Sequence, residues 1–258
     1  MARFDGLTVL ITGATGGFGK RAAERFAMEG ANLVLSDIAD NPGRAFEGID
    51  AARMTYMQGD IAKEETSAKL VALAKERFGS LDIAFNNAGI GQSFTPLPET
   101  ESETARRIID IDLMGVFYAL KHQLPVMSAQ AKTTGRSTAI LNVASLAGIG
   151  GAPRIAAYSA AKHGVVGLTR SAAAEYARKG VRVNALCPAF AKTEMVLADL
   201  RASGQPMDDA IAHVVRGVPM RRLGEIDEVI EAVLFACDPA NGFMTGQTIA
   251  IDGGVSAV

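Results

Sequence analysis

The sequence is poor in cysteine, in histidine and in excess charge of either sign. Its 258 residues include two cysteines and three histidines, and the formal net charge is −2 at pH 7. Two cysteines cannot form a disulfide framework, and neither they nor the histidines have the spacing of zinc ligands. A nearly neutral chain lacks the broad basic field that attracts nucleic acid. We therefore expect reduced thiols, no metal site and no nucleic-acid partner.

Long hydrophobic runs are also missing. The first apolar run, residues 7–11, ends at Thr12 and Gly13 and is too short for a signal-peptide core with a cleavage site. No other stretch reaches the ~20 apolar residues that cross a bilayer. We therefore expect a cytoplasmic protein with no membrane partner. The length and a hydrophobic content of 48% suit one domain with a single core.

Short β-branched or apolar runs alternate with longer segments of helical periodicity along the chain. This alternation is typical of a parallel sheet with helices on both faces. We predict a single doubly wound α/β domain of the Rossmann type over residues 1–258, built on a seven-stranded parallel sheet. The predicted strands are residues 8–11, 33–36, 54–58, 83–85, 139–143, 182–186 and 248–251, and the predicted helices are residues 17–28, 64–78, 101–131, 157–179 and 225–236.

Residues 189–224 fit neither the strand pattern nor the helix pattern well. The segment contains Gly204, Pro206, Gly217 and Pro219, which interrupt regular structure. A long irregular insertion in a compact domain commonly has a functional role. We predict a loop with short helices that serves as a substrate lid.

A glycine-rich turn joins the first predicted strand to the first predicted helix. It reads Thr-Gly-Ala-Thr-Gly-Gly-Phe-Gly over residues 12–19. Glycines let the backbone approach a pyrophosphate, whose charge is attracted by the amide groups at a helix N-terminus. The spacing Gly-x-x-x-Gly-x-Gly differs from the usual dinucleotide-binding fingerprint. On this feature alone, a turn that binds no ligand remains an alternative.

Asp37 follows the second predicted strand, where an acidic side chain can accept hydrogen bonds from the ribose hydroxyls of adenosine. The same carboxylate repels the 2′-phosphate of NADP. Neither the glycine turn nor the residues directly after Asp37 offer a lysine or arginine to that phosphate. These features favour NAD as the cofactor, whereas a helix N-cap is the alternative role for Asp37.

Tyr158 and Lys162 begin a long helical segment and are four residues apart, so their side chains lie on one face. A phenol ordinarily titrates near pH ~10, and a neighbouring ammonium group favours the phenolate, which suits an acid–base catalyst. Ser145 follows a predicted strand at the sheet edge where ligands bind, so its hydroxyl can hold a substrate oxygen. An isolated Tyr-x-x-x-Lys is more often an ordinary amphipathic helix face with a solvated lysine.

These features occur together, and the sequence resembles the classical short-chain dehydrogenase/reductase family over nearly its whole length. Matches in order and spacing carry the resemblance. They are Thr12-Gly13-x-x-x-Gly17-x-Gly19, Asp60-Ile61, Asn86-Asn87-Ala88-Gly89, Ser145, Tyr158, Lys162, Pro188 with Thr193, and Asp252-Gly253-Gly254.

The resemblance implies a catalytic group and a cofactor site. Tyr158 is expected to act as the acid/base on the reacting oxygen, Ser145 to hydrogen-bond that oxygen, and Lys162 to support Tyr158 and hold the nicotinamide ribose. Hydride transfer takes place between nicotinamide and substrate carbon. The expected cofactor-binding residues are Gly13, Gly17, Phe18, Gly19, Asp37, Asp60, Ile61, Asn87, Ala88, Gly89, Tyr158, Lys162, Pro188 and Thr193.

Two departures from the family pattern stand out. The family usually has Asn at the position of Asp112, where it supports a water-mediated proton path to the active-site lysine. Asp has a similar shape but can ionise, and we expect an ionised Asp112 close to Lys162 because the ammonium opposes its protonation. The family usually has Pro-Gly where this sequence has Pro188-Ala189, and alanine allows the backbone fewer conformations than glycine does.

We predict an NAD-dependent oxidoreductase that interconverts a secondary alcohol and a ketone. The alternatives are a catalytically silent NAD-binding regulator or scaffold and a methyltransferase. A silent protein does not need Ser145, Tyr158 and Lys162, and a methyltransferase does not explain the spacing of Tyr158 and Lys162. Mostly apolar positions are expected near the substrate, which suits a hydrophobic or cyclic small molecule: Ile90, Gly91, Gln92, Ser93, Leu146, Ala147, Pro153, Phe190 and Met195. The resemblance also implies a homotetramer.

Overall fold

The central feature of the fold is one parallel sheet of seven strands in the order β3-β2-β1-β4-β5-β6-β7. A computed structural model describes residues 2–258. The strands are Thr8–Thr12 (β1), Asn32–Asp37 (β2), Met54–Gln58 (β3), Ile83–Asn86 (β4), Thr138–Val143 (β5), Val181–Pro188 (β6) and Thr248–Ile251 (β7). The predicted doubly wound α/β fold is confirmed. The central strands are buried along their whole length because both faces of the sheet are covered.

Eight α-helices surround the sheet in the described part of the chain. They are Gly17–Met28 (α1), Glu64–Phe78 (α2), Ser102–Ile108 (α3), Gly115–Thr134 (α4), Ala156–Tyr176 (α5), Glu194–Ala202 (α6), Met207–Val214 (α7) and Ile226–Cys237 (α8). Helices α1 and α8 pack on one face of the sheet, whereas α2, α4 and α5 pack on the other. Among residues 2–258, no helix is long and apolar enough to span a membrane.

The helix predicted over residues 101–131 is wrong in one respect, since the structure divides it. A π-helical turn, Ile109–Met114, separates α3 from α4. Such a turn changes the phase of the helix, and here it brings Asp112 into the interior, where it is fully buried. Gly115 comes directly after the turn. Glycine suits this position because a Cβ there would lie 2.7 Å from Cδ1 of Ile61.

Residues 189–224 contain the short helices α6 and α7, as the sequence predicts. Their apolar side chains form a small cluster that is separate from the two clusters on the faces of the sheet. Its buried members are Leu200, Ala210, Val215, Val218 and Leu223. The segment therefore has a core of its own, and its role as a lid stays a prediction.

A buried carboxylate joins the start of β1 to the end of α4. Oδ2 of Asp82 accepts hydrogen bonds from the backbone N–H of Thr8 at 2.9 Å and from the hydroxyl of Ser80 at 2.7 Å. Oδ1 accepts one from the side-chain amide of Gln130 at 2.7 Å. Asp82 thus satisfies three donors at a site that water does not reach freely.

We expect Asp82→Ala to lower the free energy of unfolding by about 2–3 kcal/mol, because it leaves the N–H of Thr8 and the side-chain amide of Gln130 without this partner. Asp50→Ala is the control, since Asp50 is exposed and accepts one hydrogen bond, from the backbone N–H of Ala52. Urea unfolding of the three proteins measures the difference. Equal losses in the two variants would contradict the structural role given to Asp82.

Candidate active site

A cleft of about 470 Å³ lies at the carboxyl ends of the strands, where the strand order reverses between β1 and β4. Ligands bind at such positions in doubly wound sheets. All but one of the predicted site residues line this cleft: Gly13, Gly17, Phe18, Asp37, Asp60, Ile61, Asn87, Ala88, Gly89, Asp112, Ser145, Tyr158, Lys162, Pro188 and Thr193.

Gly19 is the predicted site residue that does not line the cleft. A Cβ at this position would lie 2.1 Å from the carbonyl oxygen of Gly13, so the glycine is needed for packing of α1 under the turn. Gly13 has φ +62°, and a Cβ there would lie 2.8 Å from Cα of Ala88. The turn therefore requires glycine at these two positions for different reasons.

The glycine turn leaves hydrogen-bond donors available at the start of α1. Gly16 is the N-cap of this 12-residue helix, and no side chain caps it. The first turn also contains no acidic residue. Gly17 and Phe18 line the cleft at this point, so free backbone N–H groups and the positive end of the helix face an anion-binding position. These groups fit the pyrophosphate of a dinucleotide.

Asn87 connects the glycine turn to the end of β4. Its side-chain amide donates to the carbonyl oxygens of Thr12 and Gly13, at 3.0 and 3.1 Å. In return, the hydroxyl oxygen of Thr12 accepts from the backbone N–H groups of Asn87 and Ala88, at 3.1 and 3.2 Å. The two walls of the cleft are therefore held together by four hydrogen bonds.

Asp37 is the last residue of β2 and lies at one end of the cleft. Its Oδ2 accepts from the backbone N–H and the hydroxyl of Thr15, at 2.9 and 2.7 Å, and Oδ1 accepts from the N–H of Ile38 at 2.7 Å. The N-cap alternative is wrong, because no helix begins here and the next helical turn is Ala51–Arg53. A carboxylate can accept further hydrogen bonds beyond these three.

Ser145 and Tyr158 lie at the other end of the cleft, on two segments that are fixed to each other. Ser145 caps the turn Leu146–Gly148, accepting a hydrogen bond from the N–H of Ala147 at 3.1 Å. The hydroxyl of Ser159 donates to the carbonyl of Ala147 at 2.8 Å. This bond joins the Ser145 turn to helix α5, which carries Tyr158.

Lys162 and Asp112 form a buried ion pair beside Tyr158. Nζ of Lys162 lies 3.1 Å from Oδ2 of Asp112, donates to the carbonyl oxygen of Val143 at 3.1 Å, and lies 5.4 Å from the centre of the Tyr158 ring. Oδ1 of Asp112 accepts from the N–H of Ile90 at 2.8 Å. The contact between the two charges has the distance of an ion pair but not the angles of a hydrogen bond, so Oδ2 retains acceptor capacity.

Comparison with known proteins identifies the family. The family described as enoyl-(acyl carrier protein) reductase matches residues 13–256. The chain is 40% identical to cis-4-hydroxycyclohexanecarboxylate dehydrogenase of Sinomonas cyclohexanicum, with 96% of each chain covered. It is 38% identical to 2,5-dichloro-2,5-cyclohexadiene-1,4-diol dehydrogenase of Sphingobium indicum, with 100% of each covered. The chain belongs to the short-chain dehydrogenase/reductase family.

Solved structures agree with this assignment. The crystal structure of levodione reductase has a TM-score of 0.92 and 34% identity, with 99% of each chain covered. Two other similar structures hold nicotinamide cofactors. They are a 3-ketoacyl-(acyl-carrier-protein) reductase from Brucella melitensis with NADH, at 32% identity and TM-score 0.87, and ElxO with NADP, at 29% and 0.89; each covers 98% of this chain and 99% of its own. This chain is therefore a family member of the oxidoreductase class.

The substrate-pocket residues of this short-chain dehydrogenase are only partly those that the sequence suggests. Ile90 and Met195 line the cleft, whereas the other seven expected positions do not: Gly91, Gln92, Ser93, Leu146, Ala147, Pro153 and Phe190. Gln92 is buried and accepts a hydrogen bond from the N–H of Tyr158 at 3.0 Å, so it holds the start of α5. The sequence does not indicate this contact, because Gln92 and Tyr158 are far apart along the chain.

Several residues that the sequence analysis did not assign to the cofactor or to the substrate also line the cleft. They are Thr15, Gly16, Ile38, Gly59, Arg107, Ile111, Val143, Ala144, Ala189, Ala191, Glu194 and Val196. Arg107 lies in α3 directly before the π-helical turn, and Ile111 lies within that turn, which helical periodicity could not predict. Glu194 and Val196 follow Thr193 directly, so their position could have been inferred from it.

Charge and burial act in opposite directions on Lys162. Burial lowers the pKa of Lys162, but its interactions with the neighbouring groups, that with Asp112 above all, more than offset this effect. The pKa of Lys162 therefore lies above its usual value, and the lysine remains an ammonium group inside the protein. The side chain of Asp112 faces one ammonium and one N–H donor. The ionised form of Asp112 stays a prediction.

We expect Asp112→Asn to lower the free energy of unfolding by about 3 kcal/mol at neutral pH, because burial then acts on Lys162 without compensation. In the wild type, the pKa of Lys162 is higher in the folded protein than in the unfolded chain. The pair therefore contributes its full share of the free energy of unfolding at any pH below the pKa of lysine in the unfolded chain, about 10.4. In the variant, burial lowers the pKa of Lys162 in the folded protein below that in the unfolded chain. As pH rises, the folded protein therefore loses this proton before the unfolded chain does, and the loss of unfolding free energy caused by the substitution becomes smaller.

Urea unfolding at neutral pH and near pH 9 measures this difference. Glu47→Gln is the control, since it breaks the exposed ion pair between Glu47 and Arg44. Its small effect should not depend on pH in this range. A loss in Asp112→Asn that is the same at both pH values would contradict the dependence on Lys162.

Proposed function

We propose that this protein is an NAD-dependent oxidoreductase that interconverts a secondary alcohol and a ketone on an alicyclic or otherwise hydrophobic small molecule. One observation carries the proposal: a single cleft connects the glycine turn and Asp37 at one end to Ser145, Tyr158 and Lys162 at the other. A dinucleotide with its adenosine at the first end would have its nicotinamide at the second. When bound, NAD would supply the acceptor for the hydride of the alcohol carbon.

Each residue at the nicotinamide end has a distinct role in this proposal. The hydroxyl of Ser145 holds the reacting oxygen of the substrate. Tyr158 removes the hydroxyl proton during oxidation and returns it during reduction. The ammonium of Lys162 lies beside the Tyr158 ring and would stabilise negative charge that develops on the phenolic oxygen during proton transfer, and it would also offer donors to the nicotinamide ribose. The carbonyl of Val143 and the carboxylate of Asp112 hold that ammonium in place.

Other residues complete the binding of cofactor and substrate. Asp60, Ile61, Asn87 to Gly89, Pro188 and Thr193 line the cleft. In this proposal the first five would lie beside the cofactor between its two ends, and Pro188 and Thr193 would lie near the nicotinamide. Residues 189–224 serve as a lid, since they supply Thr193 to Val196 to the cleft and have their own apolar cluster. A homotetramer in the cytoplasm, as the family resemblance and the sequence suggest, remains a prediction.

Two features support a ring substrate. The names of two relatives specify a cyclohexanecarboxylate and a cyclohexadienediol as the compounds that they oxidise. In this chain, the apolar side chains of Ile90, Met195 and Val196 line the cleft that contains Tyr158. Apolar walls with one hydroxyl-binding group suit a compact ring that carries a single reacting oxygen.

The first kinetic prediction concerns Tyr158→Phe, which removes only the phenolic oxygen. We expect turnover of cyclohexanol with NAD to fall at least ~100-fold, the lower range of general acid–base contributions, whereas the Kd for NADH stays within a few-fold. NADH fluorescence measures both quantities. Tyr118→Phe is the matched control, because Tyr118 does not line the cleft.

A Tyr158→Phe variant that keeps most of its activity would remove Tyr158 from the proposed chemistry. A wild-type protein that binds NADH but oxidises none of a graded series of secondary alcohols would instead support the catalytically silent NAD-binding protein. Thermal stabilisation by S-adenosylmethionine but not by NAD would support the methyltransferase.

The second kinetic prediction concerns the choice of cofactor. We expect kcat/KM for NAD to exceed that for NADP at least ~10-fold, because the Asp37 carboxylate repels the 2′-phosphate. Asp37→Ala should narrow this ratio, and Asp40→Ala should leave it unchanged because Asp40 is exposed and lies outside the cleft. Steady-state kinetics with both cofactors give the ratio, and a wild-type preference for NADP would overturn the assignment to NAD.

A further inference from the structure

Tyr158 lies at a point of helix α5 where the helix itself does not satisfy the backbone. Its N–H group belongs to the first turn, whose donors have no intrahelical acceptor, and the N-cap residue, Ile155, supplies no side-chain cap. The carbonyl oxygen of Arg154, four residues before Tyr158, instead accepts the N–H of Thr95 at 2.8 Å. Arg154 also has φ +69°, a left-handed conformation, so the helix does not extend back to it. The acceptor for the Tyr158 N–H must therefore come from another part of the chain.

Gln92 provides this acceptor from the segment that follows β4. Its Oε1 accepts the Tyr158 N–H at 3.0 Å, although the two residues are 66 positions apart. The side chain of Gln92 is buried, and its Nε2 has no hydrogen-bond partner among residues 2–258. A buried donor without a partner is unfavourable for folding, so stability alone does not account for a glutamine at this position. A functional benefit from holding Tyr158 does account for it.

The segment that supplies this acceptor, residues 87–92, is fixed at its other end to the glycine turn. Its first two residues make four hydrogen bonds with that turn. The N–H of Ile90 donates to Oδ1 of Asp112 at 2.8 Å, and a Cβ on Gly89 would lie 3.2 Å from Nζ of Lys162. The segment therefore connects the glycine turn, the buried ion pair and the first turn of α5.

We propose that Gln92 is a positioning residue for the proposed alcohol–ketone oxidoreductase and that it acts through Tyr158. The inference rests on that function. Gln92 does not line the cleft, so it does not contact a substrate there. By holding the N–H of Tyr158, it fixes the first turn of α5, and with it the phenolic oxygen, relative to the glycine turn that would hold the cofactor. Enzyme reactions are sensitive to such placement, since a displacement of ~1 Å can lower the rate ~100-fold.

Gln92→Met removes the acceptor and keeps a side chain of similar length. We expect the single-turnover rate of oxidation, measured with NAD and the best secondary alcohol of a graded series, to fall roughly 10-fold, because one lost hydrogen bond should displace Tyr158 by less than ~1 Å. The Kd for NADH should stay within a few-fold, since the residues that line the cleft are unchanged. Amide hydrogen exchange in the peptide that contains Tyr158 should become faster, which reports the loss of the bond independently of activity.

A double-mutant cycle with Tyr158→Phe separates positioning from a merely structural role. If Gln92 acts through the phenolic oxygen, Gln92→Met should lower the rate of the Tyr158→Phe protein by less than ~2-fold, since that oxygen is already absent. A merely structural role would lower the rate by the same factor in both backgrounds.

Gln130→Met is the matched control. Oε1 of Gln130 also accepts a backbone N–H, that of Leu81 at 2.9 Å, but the residue lies outside the cleft. The single-turnover rate should stay at the wild-type value, although this substitution also removes the hydrogen bond to Asp82. If Gln92→Met does not bind NADH, Gln92→Asn takes its place, since its amide is one methylene shorter and falls short of the Tyr158 N–H.

The outcomes separate this inference from the function on which it rests. An unchanged rate in the Gln92 variant, or an equal loss in the wild-type and Tyr158→Phe backgrounds, would overturn the positioning role while the oxidoreductase function stands. A comparable loss in Gln130→Met would overturn it as well. A wild-type protein that binds NADH but oxidises no secondary alcohol would overturn the proposed function, and with it this inference.

Discussion

An ammonium group held inside the protein is the constraint on which the candidate site depends. Lys162 is buried on α5 because its helix packs against the Ser145 turn, where a Cβ on Gly148 would lie within 2.7 Å of the Lys162 backbone. A buried charge is costly unless it is paired and hydrogen-bonded. The Val143 carbonyl, at the end of β5, and the Asp112 carboxylate, in the π-helical turn, meet this requirement. One charge thereby fixes the relative positions of three elements.

The features that the sequence predicts best are those written in local patterns. Apolar runs separated by helical periodicity indicate all seven strands, because strands buried on both faces must be apolar throughout. The ends of these strands then locate Asp37, Asn87, Ser145 and Pro188, since parallel strands bring their carboxyl ends to one edge. The positions of the strands along the chain are therefore sufficient to place such residues at the sheet edge. The resemblance to the family adds their expected roles, and those roles remain proposals.

The features that the sequence does not predict depend on contacts between distant segments. Gln92 holds the N–H of Tyr158, which lies far along the chain, and no local pattern links the two. The π-helical turn shifts the following residues by a fraction of a helical turn. A search for a periodicity of 3.6 residues therefore does not reveal it. The sequence predicts that Gly19 contacts the cofactor, because the glycines of such a turn let the backbone approach a phosphate. Here close packing against Gly13 explains the same residue.

Asp112 shows how one departure from a family pattern can be separated into structural and electrostatic consequences. An asparagine could accept the Ile90 N–H through its carbonyl oxygen as the Asp112 carboxylate does, and the two side chains have nearly the same shape. The difference is therefore mainly one of charge. Buried ion pairs are weak evidence for stability, because desolvation opposes their attraction. The carboxylate therefore matters chiefly as the counter-charge of the buried ammonium, which it pairs without altering the geometry that Lys162 provides. On this view the fold determines where the ammonium lies, and position 112 determines whether its charge is paired.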